Sequence, residues 1–334
     1  MKVLVTGGAG YIGSFIVKKL IEKNHDVVVF DSLENGHQEV IDKLKVKLIK
    51  GDLCCEKTIT AALDSSFDAV MHFAAYIESG ESMKDPLRFF KNNTCGGVNL
   101  LRAMQKNGIK KLVFSSTAGV YGGTKKMPLT ENSPVRPTSY YSWSKYFLEE
   151  IIKSSSVYDI KSIILRYFNA AGASIDGSMG EDHDPETHLI PLVIKIALGQ
   201  RKKFFIFGDD YPTKDGTGVR DYVHVEDLAL AHLLALKKLN QTNFDYEIYN
   251  VGIGKGYSVK EVVEMVKMVS GVDFPVEITE RRPGDWAESY ADSSKIKKKL
   301  GWQPKYGLKE IIESAYKWHK KHPNGWKSCD KTIL

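Results

Sequence analysis

Tyr141 and Lys145 stand four residues apart in Tyr141-Ser142-Trp143-Ser144-Lys145, so a helix places both on one face. A phenol is a poor base at neutral pH, because its reference pKa is ~10. A lysine ammonium one turn away favours the phenolate. Bringing the phenol near neutrality takes about 4 kcal/mol of differential stabilisation, which two cations in a partly dry site can supply. The run Ser115-Ser116-Thr117 lies upstream, and the Thr117 hydroxyl can bond a reacting oxygen and steer its proton. These three residues suit the removal and return of a proton at a substrate hydroxyl.

The second cation is read from the start of the chain. Thr6-Gly7-Gly8-Ala9-Gly10-Tyr11-Ile12-Gly13 carries glycines at 7, 10 and 13 between an apolar run and a helical pattern. Gly7 permits a tight turn, Gly10 lets backbone N–H groups approach a pyrophosphate, and Gly13 allows close packing of helix on strand. Asp31 closes the next apolar run, where a carboxylate can accept from an adenosine ribose and would repel a 2′-phosphate. No Arg follows it, so NAD is expected rather than NADP, and its oxidised nicotinamide is the second cation beside Tyr141. Gly51-Asp52-Leu53 and His72-Phe73-Ala74-Ala75 end two further apolar runs. Asp52 can bond an adenine edge there, and the small residues let the cofactor lie against the backbone.

The elements that must carry these residues alternate. Short apolar runs fall at 2–6, 26–30, 46–49, 69–72 and 112–115, with helical spacing at 11–23, 87–107 and 140–155. Strands that are apolar throughout are covered on both faces. The pattern therefore predicts an α/β fold, a doubly wound, mostly parallel sheet of Rossmann type. Ligands of such sheets bind at the carboxyl ends of the strands, where the glycine loop, Asp31, Asp52 and Thr117 all fall. Beyond residue 172 the texture changes. Residues 173–187 and 208–221 are polar, glycine-rich loops, helical patterns return at 225–238, 259–269 and 308–319, and 248–251 reads as a strand. The expected division is a dinucleotide-binding domain at 1–172 and a smaller mixed α/β substrate lobe at 173–334. Segments around 220–252 are expected to pack back on the first domain.

Composition narrows the function class. The chain has 334 residues, 43% hydrophobic and 26% charged, which excludes disordered and fibrous classes. Net charge is +6, but the Lys pairs are scattered, so no nucleic-acid partner is expected. No apolar run is long enough to span a membrane, and the short run after Met1-Lys2, broken by glycines from Gly7, reads as a buried strand rather than a leader. Cys54, Cys55, Cys95 and Cys329 show no CxxC and no His partner at metal-ligand spacing, so a reducing cytoplasm fits and no metal site is read.

With these motifs, and with Leu165-Arg166-Tyr167-Phe168-Asn169, Gly180-Glu181-Asp182, the run 207–213 and Gly216-Thr217-Gly218-Val219-Arg220-Asp221-Tyr222, the sequence resembles the extended short-chain dehydrogenase/reductase family. Within it, the likeness is to the UDP-glucose 4-epimerases, over essentially the whole chain to about residue 326. The resemblance implies Tyr141 as acid/base, Lys145 as the group lowering its pKa and holding the nicotinamide ribose, and Thr117 as helper. It adds Ser32, Asn35, Gly36, Asn93, Ser115, Tyr167 and Phe168 to the cofactor contacts. It places a UDP-hexose against Asn169, His188 and Leu189, with Phe205 and Phe207 flanking the uracil. Arg220 and Arg282 would grip the diphosphate, Tyr222 would adjoin it, and Asp285 would reach the ribose. It also implies a homodimer packed through 87–107 and 140–155.

Three positions depart from the family pattern. Thr117 replaces a frequent serine and keeps the hydroxyl. Ile77 stands where some members carry a cofactor-contacting lysine, which would loosen NAD retention. Ser289 stands at a gate where some members carry a bulky Tyr, so UDP-N-acetylglucosamine and UDP-N-acetylgalactosamine should also fit. Rival readings are a 4-epimerase of UDP-glucuronate or UDP-pentoses and a net nucleotide-sugar dehydrogenase or reductase. A 4,6-dehydratase is disfavoured because Ala118-Gly119, rather than an Asp-Glu pair, follows Thr117. A non-catalytic sensor is disfavoured because Tyr141 and Lys145 are both present.

Overall fold

Neighbouring residues of the same short strands pack to opposite sides of one sheet. Val3, Val5, Val29, Met71, Val113 and Ile163 enter one apolar core, whereas Leu4, Val28, Val70, Leu112 and Ile164 enter another. Side chains alternate along a strand with period two, so an uninterrupted apolar run feeds both cores at once.

The computed structural model describes residues 1–124, 126–241, 244–282 and 284–327; Cys329 lies outside them. Its strands are β1 (Lys2–Thr6), β2 (Asp26–Asp31), β3 (Lys47–Lys50), β4 (Ala69–His72), β5 (Lys111–Ser115), β6 (Lys161–Tyr167), β7 (Asn169–Ala171), β8 (Phe204–Phe207), β9 (Val219–His224), β10 (Tyr246–Val251), β11 (Gly256–Ser258), β12 (Val276–Thr279) and β13 (Glu288–Ser289). Seven of them form a parallel sheet in the order β10-β6-β5-β4-β1-β2-β3. The chain winds outward from β1 to β3, then returns to lay β4 on the other side of β1. That reversal opens a crevice at the carboxyl ends of β1 and β4, the place where doubly wound sheets take ligands.

The second half of the chain contributes to this layer. Strand β10 extends the sheet beside β6, and the helix Val225–Lys238 buries Leu228, Ala231 and Ala235 in the same core as Phe15, Ile16 and Leu20 of the helix Tyr11–Glu22. The remaining strands make a small sheet around β9, which pairs with β7, β11 and β13, and a separate β8–β12 pair. Helices Leu189–Ala197, Val259–Ser270 and Leu308–Lys321 close a third core there with Val193, Val262 and Ile311.

Two local expectations change. The stretch 87–107 is not one α-helix: Pro86–Phe89 and Gly96–Lys106 are α-helical, and Phe90–Cys95 between them is π-helical. The widened turn brings Asn93 into the interior, where its carboxamide bonds both backbone groups of Tyr76 (2.9 and 3.0 Å) and the Ser144 hydroxyl (2.9 Å). The second polar loop ends at residue 218, because Val219 begins β9. Asp221 in that strand binds the N–H groups of Ile253, Gly254 and Ala291 at 2.9–3.1 Å. Periodicity does not mark β6, where Lys161, Ser162 and Arg166 interrupt the apolar residues, or the helix Leu189–Ala197, which is apolar on almost every side.

Candidate active site

The glycine loop closes on backbone. A side-chain carbon at Gly13 would lie 2.1 Å from the Gly7 carbonyl oxygen, and one at Gly7 (φ +74°) would lie 2.5 Å from the Ala74 nitrogen. These approaches set the start of the helix Tyr11–Glu22 directly at the ends of β1 and β4. No side chain caps that helix at Gly10, so its first N–H groups face the crevice. Asp31 ties the loop to β2: Oδ2 accepts from the Ala9 N–H and Oδ1 from the Leu33 N–H, both at 2.9 Å. Burial outweighs these bonds and raises the Asp31 pKa. An acceptor so poorly hydrated favours donors that a ligand brings.

This crevice is one elongated cavity. Of the residues expected to hold the cofactor, all line it except Asn93, Ser115 and Lys145. Those three stand one layer behind. Asn93 fixes the segment at Tyr76, while the Ser115 carbonyl accepts from Lys145 Nζ at 2.8 Å. Ile77 and Glu78 also line the cavity.

Thr117 and Tyr141 also line it. The helix Tyr140–Ser154 begins at Ser139, whose hydroxyl accepts from the Ser142 N–H at 3.2 Å, and this cap sets the entry of Tyr141. Thr117 caps the following 3₁₀ turn by accepting from the Gly119 N–H at 3.0 Å. Lys145 is buried, and burial lowers its pKa to about 7, with Glu149 opposing. The Tyr141 phenol is pushed well above its ordinary value, chiefly by burial, then by Tyr167, with the Thr117 hydroxyl opposing. The lowering expected from Lys145 is therefore not produced by the protein's own groups: both side chains are desolvated, and each is driven toward its neutral form. Below them, Glu149 binds Arg166 (2.6 Å to Nη2) and the Ser116 hydroxyl in a fully enclosed network.

A second cavity adjoins the first, and Asn169, Ala170, Glu181 and His188 line both. Leu189, Phe205, Phe207, Arg220, Tyr222, Arg282 and Asp285 line the second, as expected of substrate contacts. Strand β8 explains the phenylalanines: Phe204 and Ile206 enter the third core, so Phe205 and Phe207 face the other way. Arg282 lies 3.8 Å over the Phe207 ring, and Arg220 Nη1 donates to the Trp286 carbonyl at 2.9 Å. Ser289 departs from expectation. It is buried in β13, in register with Arg220, and lines neither cavity.

The family model of the NAD dependent epimerase/dehydratase family matches residues 3–252. The chain belongs to that family. Its curated relatives include the UDP-glucose 4-epimerase of Lactobacillus helveticus, 49% identical over 98% of this chain and 99% of that one. Among solved structures, the UDP-glucose 4-epimerase of Bifidobacterium longum in complex with NAD+ and UDP superposes with a TM-score of 0.91 at 39% identity, over 97% of this chain and all of that one. The UDP-Glc/GlcNAc 4-epimerase of Campylobacter jejuni gives 0.84 at 43% identity, over 96% and 99%.

For this member of the epimerase/dehydratase family, sequence reasoning gave Trp286 and His183 no place in the site and took Tyr211 and Glu181 only as motif markers. Trp286 and Tyr211 line the second cavity, and Glu181 and His183 stand in the wall beside His188. The pattern Glu181-x-His183-x-x-Glu186-x-His188 was the signal available for that wall. No helix among the described residues is long and apolar enough to cross a membrane.

Proposed function

We propose that this protein inverts C4 of a UDP-hexose, interconverting UDP-glucose and UDP-galactose with a retained NAD. One observation carries the reading. Thr117 and Tyr141 line the glycine-loop cavity, and that cavity meets the arginine-lined one at Asn169 and His188. A sugar joined to a diphosphate held at Arg220 and Arg282 would thus present a hydroxyl to Tyr141.

The residues present fit NAD: the loop excludes side chains, the uncapped helix start offers N–H groups, and Asp31 keeps lone pairs toward the cleft. NAD, when bound, supplies a reversible hydride acceptor and a positive ring that favours the Tyr141 phenolate. Tyr141 takes the proton of the sugar 4-OH and later returns it. Thr117 would bond the same oxygen, and Lys145, anchored on the Ser115 carbonyl one layer behind the cavity, would have two further N–H groups for the nicotinamide ribose. Phe205 and Phe207 sandwich the uracil, and Asp285 accepts from the uridine ribose. Rotation of the sugar about the diphosphate exposes the opposite face of C4, so hydrogen returns with inverted configuration. Turnover of the N-acetylated pair as well is supported by the likeness to the UDP-Glc/GlcNAc 4-epimerase of Campylobacter jejuni rather than by Ser289, which lines neither cavity.

The division at residue 172 into cofactor and substrate parts is supported by the glycine loop, Asp31, Thr117 and Tyr141 all preceding it and Phe205, Phe207, Arg220 and Arg282 all following it, although the linings of both cavities cross that boundary. A homodimer is supported by apolar surface on the two helical segments already named. Leu87 is 77% exposed and Phe147 43%. Free thiols at Cys54, Cys55 and Cys95 suit a cytoplasmic setting.

The deciding experiment incubates purified protein with UDP-galactose and no added cofactor, then separates the products chromatographically. UDP-glucose should form without net change in cofactor absorbance. A requirement for stoichiometric oxidant would overturn the proposal in favour of a net dehydrogenase, and turnover of UDP-galacturonate or UDP-arabinose alone would overturn the sugar.

A further inference from the structure

The wall between the two cavities holds four potential ligands: Glu181 and His188 line both cavities, His183 lines the first, and the buried Glu186 lines neither. Glu181, His183, Glu186 and His188 each bring one donor atom within 4.8 Å of the others. Glu181 Oε1 lies 2.7 Å from His188 Nδ1 and 3.2 Å from His183 Nδ1, and Glu186 Oε1 lies 3.4 Å from His188 Nδ1. Both carboxylates are buried, Glu181 at 4% exposure and Glu186 at 7%.

Two buried carboxylates require two positive charges close by. A pair of imidazolium rings or one divalent cation would meet the requirement, and hydrogen bonding separates these possibilities. Glu186 Oε1 accepts from the N–H groups of Thr187 and His188, both at 2.8 Å, while Oε2 is buried without a hydrogen-bond partner. His183 Nδ1 is also buried without one, although Glu181 Oε1 is near, because the geometry is not that of a donated N–H. A protonated pair would leave a buried donor and a buried acceptor unsatisfied, which is costly. Lone pairs converging on one point instead suit a cation.

Ligands bonded at about 2.0–2.1 Å around a tetrahedral ion stand about 3.3 Å apart. The Glu181–His183 and Glu186–His188 pairs, at 3.2 and 3.4 Å, already have that separation, whereas the Glu181–His188 pair at 2.7 Å must open and the widest pair must close for all four to bind. Two imidazole nitrogens and two carboxylates are donors for a zinc-class ion; magnesium and calcium prefer oxygen throughout. The backbone is anchored independently of any ion, since the Glu181 carbonyl accepts from Trp318 Nε1 at 3.1 Å. We propose that Glu181, His183, Glu186 and His188 bind one zinc-class divalent cation, which fastens the wall between the cavities. The inference does not depend on which sugar is turned over.

The test uses the intact protein after treatment with a chelator. Zn²⁺ binding is followed by calorimetry, and Co²⁺ binding by visible absorption. One ion per chain is expected, with the intense absorption of four-coordinate Co²⁺ and no competition from equimolar Mg²⁺. His183→Gln and Glu186→Gln should each weaken Zn²⁺ binding at least about 10-fold. Absence of saturable Zn²⁺ binding to the unsubstituted protein overturns the proposal whether or not the variants fold. Unaltered affinity in both folded variants, or displacement by equimolar Mg²⁺, overturns it as well.

Discussion

Lys145 Nζ donates to the Ser115 carbonyl oxygen at 2.8 Å, joining the helix Tyr140–Ser154 to the end of β5. The bond fixes where the ammonium points, but it is only one of the three that an ammonium can make. Burial supplies the rest of the behaviour, drawing this lysine down to about 7.

A pH dependence of stability follows. In the unfolded chain a lysine titrates near ~10.4. Between about 7 and that value the unfolded chain binds more protons than the folded one, so stability rises with pH. Below about 7 both states are protonated and the full burial cost remains. The slope from this group approaches about 1.4 kcal/mol per pH unit. Urea unfolding should therefore show Lys145→Met more stable than the unsubstituted protein at pH 7, with the gap closing by pH 9. Parallel pH profiles would mean that the lysine titrates normally.

Tyr141 is expected to carry the proton transfer. Tyr141→Phe should keep its fold and its NAD absorbance while kcat falls by roughly 10²–10⁴-fold. Thr117→Val, which removes an assisting hydroxyl, should lose less. Near-normal turnover by the phenylalanine variant would remove the phenol from the mechanism.

The Glu149–Arg166 pair is a matter of stability. Arg166 is 2% exposed, and its Nη1 also donates to the Tyr121 hydroxyl at 3.1 Å. Removing one partner strands a buried charge, so Glu149→Ala should cost about 3–5 kcal/mol in urea unfolding. The double replacement Glu149→Met, Arg166→Met should recover most of that loss. An additive pair of losses would show that the two charges do not act together.

Ser289 tests sugar choice. Ser289 lines neither cavity, but it pairs in register with Arg220, so a larger side chain there would act on the substrate through that strand. Ser289→Tyr should lower kcat/KM for UDP-N-acetylgalactosamine at least about 10-fold relative to UDP-galactose. Equal loss for both sugars would assign the effect to packing of β13.

The cofactor half was legible because its signals are local. Glycines at 7, 10 and 13, a carboxylate closing β2 and the four-residue spacing of Tyr141 and Lys145 each act within a few residues, and 2–6, 69–72 and 225–238 stand as elements with the bounds read from periodicity. The sequence by itself thus determined the sheet class, the loop and the residues able to exchange a proton. Tertiary structure alone decided which groups lose water and which meet across long separations. It drew Asn93 inward through a π-helical turn, fixed the returning strand β10 at the β6 edge of the sheet, left Ser289 out of both cavities and gathered Glu181, His183, Glu186 and His188 into one cluster. The physical reason is range: turn and cap preferences are set by neighbours along the chain, whereas desolvation and packing depend on the whole fold.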